Sequence, residues 1–203
     1  MNIIRLQSLL DRYNLKNKDY FVEILDALKT HYILLSKEGP WLAGGLLRRL
    51  LMNQDLDSDV DIFCRSLEQY DMLVKNIGLK PIVENEHNIT YLLPVNKEKS
   101  IKLQIVKIGT YNSVLELISF FDFTLCQLAY DGEMLYSGEF TLFDLMRKRI
   151  VINKITYPVA SLRRLIKYTN QGFYACNGCL TQFLELNANH PESIQNNRLE
   201  YID

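Results

Sequence analysis

Two adjacent glycines, Gly44 and Gly45, followed after thirteen intervening residues by Asp59-Val60-Asp61-Ile62, constrain this chain more than any other feature. On a β-strand, residues i and i+2 point to the same face. Asp59 and Asp61 therefore project together from one side while Val60 and Ile62 face a core. The glycines separate a short apolar stretch, Trp41-Leu42-Ala43, from LLRRLLMN, a run of strong helix formers with two arginines. Two carboxylates one pleat apart suit a hard divalent cation, which takes oxygen ligands and keeps waters and substrate phosphates. Paired glycines let backbone approach a phosphate closely, and a helix starting at Leu46 would aim free N–H groups and a positive dipole end at it. A metal clamp beside a phosphate cradle is what nucleotidyl transfer requires. Alone, a D-x-D is often a solvated edge and Gly-Gly a turn; their order on one strand–turn–helix–strand unit gives them weight.

Around this unit, helical and strand periods alternate. Residues 2–14 and 18–36 read as helices, the second carrying Phe21, Ile24, Leu25, Leu28 and Ile33 at helical spacing. SLEQYDMLVKNIG reads as a helix ended by Gly78. KPIVENEHNITYLLPV and KSIKLQIVKIG read as paired strands joined by the polar turn NKEK. TYNSVLELISFF is a helix. FTLCQLAYDGEMLYSG is a strand, a turn at Asp131-Gly132 and a return strand. FTLFDLMRKRIVINKI is helix then strand, and the part from Pro158 onward is mainly helical. Strands interleaved with helices predict a mixed α/β (α+β) fold. The expected organisation is N-terminal helices over residues 1–37, a head domain over 38–157 and a helical neck-like extension over 158–203.

With 23 basic and 24 acidic residues the net charge is −1, so no global basic field attracts nucleic acid and any such contact needs a local patch. The N-terminal twenty residues carry charges among their apolar positions and no small-residue cleavage site, which excludes a signal peptide. No apolar run reaches the ~18–20 residues of a membrane span. Four cysteines without a secretory signal predict free thiols in a reducing compartment, hence a cytoplasmic protein with no membrane partner.

WLAGGLLRRLL…DLDSDVDIF resembles the first motif of the DNA polymerase beta-like nucleotidyltransferase superfamily, and within it the head domain of CCA-adding tRNA nucleotidyltransferases and bacterial poly(A) polymerases. Two later segments are similar to that family's in the same order: FDFTLCQLAYDGEMLYSGEFTLFDLMRKRI to its second motif, and YPVASLRRLIKYTNQGF to its basic helix. The resemblance spans roughly residues 40–173. It implies a nucleotidyltransferase head with a mixed sheet flanked by helices and a short helical neck. It implies that Asp59 and Asp61 are catalytic and bind Mg²⁺ or Mn²⁺, and that Gly44 and Gly45 hold the triphosphate of an NTP substrate. Arg48 is placed at a phosphate, Asp122 at the ribose, and Arg163, Arg164 and Lys167 against the incoming nucleotide. Arg164 and Lys167, at i and i+3, share one helix face, and Arg163 points about a third of a turn away.

Departures from the family pattern are equally specific. Phe120-Phe121 stand in place of an arginine pair, Cys126 in place of an asparagine, Val159-Ala160-Ser161 in place of an acidic pair, and Arg49 in place of an aspartate. Those groups read the base in the family, so no strict choice between CTP and ATP is implied here. Where a third carboxylate is expected, on IKLQIVKI, the outward position is Gln104; Glu84 and Glu86 are the substitutes within reach of the sequence. Only about thirty residues follow Phe173, which favours a minimal transferase over a tRNA-end-maintaining enzyme. The expected function is metal-dependent transfer of NMP from an NTP to an acceptor hydroxyl, an RNA 3′ end by resemblance. Transfer to a protein or small molecule stands beside it, as does a catalytically degenerate nucleotide-binding or inhibitory protein.

Other residues read as structural. Cys176-x-x-Cys179 has zinc-like spacing without a second ligand pair, His190 being remote. Cys64 and Cys126 read as core, and Trp41 as packing beneath the glycine loop.

Overall fold

In the computed structural model, residues 1–188 are described. The elements in chain order are β1 (Asn2–Arg5), α1 (Leu6–Arg12), α2 (Lys18–Thr30), β2 (Trp41–Ala43), α3 (Gly45–Leu51), β3 (Val60–Phe63), α4 (Leu67–Asn76), β4 (Pro81–Glu84), β5 (Asn88–Pro94), β6 (Ser100–Val106), α5 (Val114–Ser119), a 3₁₀ turn (Thr124–Cys126), β7 (Leu128–Tyr130), β8 (Met134–Ser137), α6 (Thr141–Met146), β9 (Arg149–Ile150), α7 (Pro158–Asn170), β10 (Tyr174–Ala175) and α8 (Asn177–Ala188). Eight strands form one mixed sheet in the order β1-β8-β7-β2-β3-β6-β5-β4. β2 runs antiparallel to both β3 and β7, while β3 and β6 are parallel. The mixed α/β expectation holds.

Alternation along the strands divides the sheet into two faces. Leu42, Val60, Ile62, Ile89, Tyr91, Leu93, Ile101, Leu103 and Ile105 bury one face in the main core, with Phe21, Ile24 and Leu28 of α2. Trp41 and Ala43 point the other way into a smaller core with Val114, Leu117 and Ile118 of α5 and with Ala129 and Tyr136. Trp41 is fully buried in this cluster, and its indole N–H donates to the Lys37 carbonyl at 3.3 Å. On that second face, Asp61, Gln104, Lys102 and Leu92 are at least partly exposed beside the cluster. This is the side left open for a site.

Local chemistry fixes the ends. Ser66 and Ser113 cap α4 and α5, accepting from the Gln69 and Glu116 N–H groups, and Pro158 opens α7 without losing a hydrogen bond. In the β7–β8 hairpin Asp131 Oδ1 accepts from the N–H groups of Glu133 (2.9 Å) and Met134 (2.7 Å), and Oδ2 accepts from the Tyr136 hydroxyl (2.8 Å).

Three expected elements are corrected. Residues 2–5 are not helical: Ile3 and Ile4 are β-branched, and the segment pairs antiparallel with β8. The second helix stops at Thr30, because Tyr32 turns to a φ of 60° and Ile33 is drawn into the core. FTLC is a 3₁₀ turn instead of a strand, since the Thr124 hydroxyl donates to Asp144 Oδ2 (2.7 Å) and the Thr141 hydroxyl to the Thr124 carbonyl (2.8 Å). No helix among the described residues is long and apolar enough to cross a membrane.

Leu42, fully buried in a central strand, is expected to cost about 2–5 kcal/mol on replacement by alanine. Met146→Ala, at 84% exposure, should stay within about 0.5 kcal/mol of the parent, both measured by urea unfolding.

Candidate active site

The glycine turn is held against the carboxylates by strand register. Ala43 pairs with Asp61 across β2 and β3, so the residue after Ala43 meets the Asp61 side chain. Gly44 adopts φ 92°, ψ −148°, a region essentially closed to residues with a Cβ. A Cβ built there would lie 2.7 Å from Asp61 Oδ2, and one built on Gly45 would collide with the Ser58 hydroxyl. Gly44 is therefore required by its conformation, and a side chain at either glycine would have to displace the Asp61 carboxylate or the Ser58 hydroxyl. The helix begins at Gly45, one residue before Leu46.

Asp59 lies immediately before β3 and Asp61 within it. The loop that delivers them is tied down from two directions. From α3, the Arg49 guanidinium pairs with Asp57 at 2.6 Å and donates to the Asp55 carbonyl at 3.2 Å. From the segment before α2, Lys16 pairs with Asp55 at 2.9 Å, the Lys16 N–H donates to Asn53 Oδ1 and the Asn17 amide to the Gln54 carbonyl. The hydrogen bond and charge of Lys16 hold the Asp55 carboxyl below the usual range.

The two aspartates are electrostatically close. Burial and the neighbouring Asp59 charge push the Asp61 carboxyl up to about 7, against the pull of Lys167 and Arg164. Two like charges held together and partly desolvated repel, and a cation relieves that repulsion, so the donor set fits Mg²⁺ or Mn²⁺. No cluster of three or more His, Cys, Asp or Glu forms among the described residues, so a bound ion would complete its shell with waters and substrate phosphates. Gln104 sits opposite Asp61 on β6, and its side-chain amide donates to Asp59 Oδ2 at 2.8 Å. Glu84 ends the edge strand β4, three strand spacings (about 14 Å) from β3, and Glu86 lies beyond it; neither stands in for a third carboxylate.

α7 supplies the cationic wall. Pro158, Ser161, Leu165 and Tyr168 are buried, which turns Arg164 and Lys167 toward the site. Arg164 Nη1 donates to Asp122 Oδ2 at 2.8 Å. Burial works against the Arg164 charge, yet the Asp122 carboxylate more than offsets it and holds the guanidinium above its ordinary pKa. The Asp122 carbonyl in turn accepts the N–H groups of Asn153 and Lys154. Asp122 thus anchors Arg164 directly. Arg163 lies on the exposed flank of α7.

Arg48 is 2% exposed, its guanidinium 4.9 Å from the Tyr168 ring centre and 5.3 Å from that of Phe173. Its Nε and Nη1 have no hydrogen-bond partner, and burial lowers its pKa. The Cys126 thiol, pushed up to about 12 by burial, donates to the Tyr168 hydroxyl at 3.0 Å. Arg48 therefore joins α3 to Tyr168 of α7 and to Phe173 just beyond it through two ring contacts, which have no signature in the sequence. The Ser58–Gly45 contact and the Arg49–Asp57 tether are likewise visible only in three dimensions. Cys64 and Cys126 are buried, Cys176 is exposed and Cys179 buried, all as free thiols; His190 lies outside the described residues.

The same architecture recurs in solved CCA-adding enzymes. The Thermotoga maritima CCA-adding enzyme complexed with tRNA_CCA superposes with a TM-score of 0.59 at 18% identity, over 92% of this chain and 47% of that one. A CCA-adding enzyme complexed with CTP gives 0.60 at 15%, over 93% and 46%. The Bacillus stearothermophilus CCA-adding enzyme with CTP gives 0.52 at 18%, over 80% and 41%. The chain spans about half the length of these enzymes. At such identity the likeness establishes the fold. Among curated proteins, none matches this chain. Residues 11–148, from α1 through α6 and across the whole glycine–aspartate unit, match the Gabija anti-defense 2 family. This chain, with its nucleotidyltransferase fold, belongs to the Gabija anti-defense 2 family.

Proposed function

We propose that this protein is a metal-dependent nucleotidyltransferase that moves NMP from an NTP to an acceptor hydroxyl, and that this transfer counters Gabija defence. The observation that carries the reading is the packing of the Gly44 backbone on the Asp61 carboxylate, with Asp59 beside it and Arg164 and Lys167 facing the pair. The family description supports the anti-defence role. An RNA 3′ end is the acceptor the neighbouring folds favour, one of them being complexed with tRNA and others with CTP or ATP.

In this mechanism Asp59 and Asp61 hold the cation, and Gly44 and Gly45 admit the triphosphate to within contact of their backbone. Mg²⁺ or Mn²⁺, when bound, supplies Lewis-acid polarisation of the α-phosphate and acidifies the acceptor hydroxyl. Arg164 and Lys167 face the negative charge that spreads over the transferring phosphoryl group, while Arg48, buried beneath α3, braces α3 against Tyr168. Asp122 keeps Arg164 aimed. The bond from the acceptor oxygen to the α-phosphorus forms as the α–β bridging bond breaks, and pyrophosphate leaves in line. With Gln104 where a third acid would stand, the acceptor proton would pass to the Asp59–Asp61 pair or to water. That same glutamine favours a second reading, a nucleotide-binding inhibitor without turnover.

The deciding experiment incubates the protein with each α-³²P-NTP, Mg²⁺, and either total RNA or components of a Gabija system. Label entering RNA supports the proposal; label on protein or in a small product keeps the transferase and changes its acceptor; nucleotide bound without label transfer selects the inhibitor. Asp59→Asn and Asp61→Asn should each lower transfer by more than about 100-fold, beyond the cost of losing an outer-shell metal partner.

Two further outcomes follow from the geometry. Because the folded protein holds the Asp61 proton to about pH 7, against 3.8 ordinarily, folding is favoured below that window and weakens as pH rises through it. Metal-free Asp61→Asn should therefore melt higher than the parent at pH 8, by about 2–4 °C for each kcal/mol relieved, and show little advantage at pH 4.5. Gly44→Ala should cost about 1–3 kcal/mol and abolish nucleotide binding, read by thermal melting and by titration with a fluorescent NTP.

A further inference from the structure

Resting on the transferase reading, we propose that Gln104 is a positioning residue. It holds Asp59 by one oxygen and keeps the aspartate pair too weak a chelator to bind a free divalent cation, so the site takes its metal together with the nucleotide.

The contact is specific. Gln104 lies on β6 in parallel register with Asp61, and its amide reaches back one pleat to donate to Asp59 Oδ2 at 2.8 Å. A carboxamide nitrogen has no acceptor capacity, so the bond fixes both the Gln104 orientation and the rotation of the Asp59 carboxylate. Asp59 precedes β3 and has no ladder partner in the sheet, so this side-chain bond is what joins it to the neighbouring strand. Thr90 of β5 flanks Gln104 on its far side, in register with it, and is buried, which limits the rotamers the glutamine can adopt.

The bond has a second effect. A metal site improves with the number and charge of its oxygen ligands. Among the described residues only two carboxylates converge here, one oxygen is already engaged by a neutral donor, and Lys167 and Arg164 place positive charge against the pair. A lone cation meets two anionic groups and two opposing cations. A cation carried on a triphosphate brings its own anionic oxygens, and those same two cations then meet phosphate. The arrangement therefore discriminates between free metal and metal–nucleotide by charge.

The test uses Mn²⁺ as the probe, read by electron paramagnetic resonance and calorimetry, alone and with a non-hydrolysable NTP. Three variants are compared with the parent, each checked by thermal melting: Asp59→Asn, Gln104→Met, which keeps volume and removes the donor, and Gln104→Glu, which adds a third carboxylate. The parent should bind Mn²⁺ at least about tenfold more tightly with the nucleotide than without it. Gln104→Met should weaken Mn²⁺–nucleotide about tenfold, within the 10–100-fold range of an outer-shell partner, and alter the Mn²⁺ spectrum. Gln104→Glu should tighten free Mn²⁺ about tenfold, a gain that a damaged fold does not produce. Parent protein that binds free Mn²⁺ as tightly as Mn²⁺–nucleotide overturns the proposal. So does Gln104→Met with unchanged affinity and spectrum, while Asp59-dependent binding leaves the transferase reading standing. Absence of Asp59-dependent Mn²⁺–nucleotide binding in the parent overturns both.

Discussion

The closeness of Gly44 to the Asp61 carboxylate is the contact on which the rest of the site depends. It is set by two facts of strand geometry, the antiparallel pairing of Ala43 with Asp61 and the reversal of direction at Gly44. Every neighbouring feature is arranged to preserve it. Arg49 and Lys16 secure the loop that precedes the aspartates, and the Ser58 hydroxyl lies where a Cβ on Gly45 would fall. A backbone held this near a carboxylate leaves no room for a side chain at Gly44 unless the carboxylate moves.

Charge in the site is balanced across elements far apart in sequence. Asp61 and Asp59 come from one end of β3, Arg164 and Lys167 from α7, and Asp122 from the turn before the 3₁₀ segment. Asp122 neutralises Arg164 in part and so prevents α7 from saturating the aspartates by itself. Arg48 is the exception. No carboxylate faces it, and its charge is accommodated by the rings of Tyr168 and Phe173 and by the polar edge of Cys126. Burying an arginine in this way is costly unless it does more than pack. Its Nε and Nη1 are buried without a hydrogen-bond partner among the described residues.

Much of this was legible in the sequence because it is written in local periods. The alternation of Val60-Asp61-Ile62, the helical stripe of Phe21, Ile24 and Leu28, and the turn at Asp131-Gly132 each report a face or a reversal through neighbours in the chain. Gly-Gly followed by D-x-D was readable for the same reason, and so was the outward position of Gln104. What stayed hidden depends on long-range pairing. Asn2–Arg5 looked helical because its apolar residues suit either period, and only its pairing with β8 makes it a strand. FTLC carried a strand composition, and hydrogen bonds from Thr124 and Thr141 bent it into a turn. The burial of Arg48 could not be read at all, since an arginine in LLRRLL gives no sign of which of the two faces inward. Arg48 enters the core and Arg49 the loop, and helical phase decides between them.

The loop tether has a consequence for how such a protein fails. Residues 13–17 belong to no helix or strand, yet Lys16 and Asn17 hold the segment that carries Asp59. Stability in proteins is distributed unevenly, and segments held by a few exposed polar contacts open long before the sheet does. Here a stretch held in that way is also a brace of the loop that carries Asp59. Chemical competence and global folding are thus separable: the molecule can lose its site while every strand of the sheet remains paired, and resistance to proteolysis near Lys16 is the more faithful gauge of an intact site.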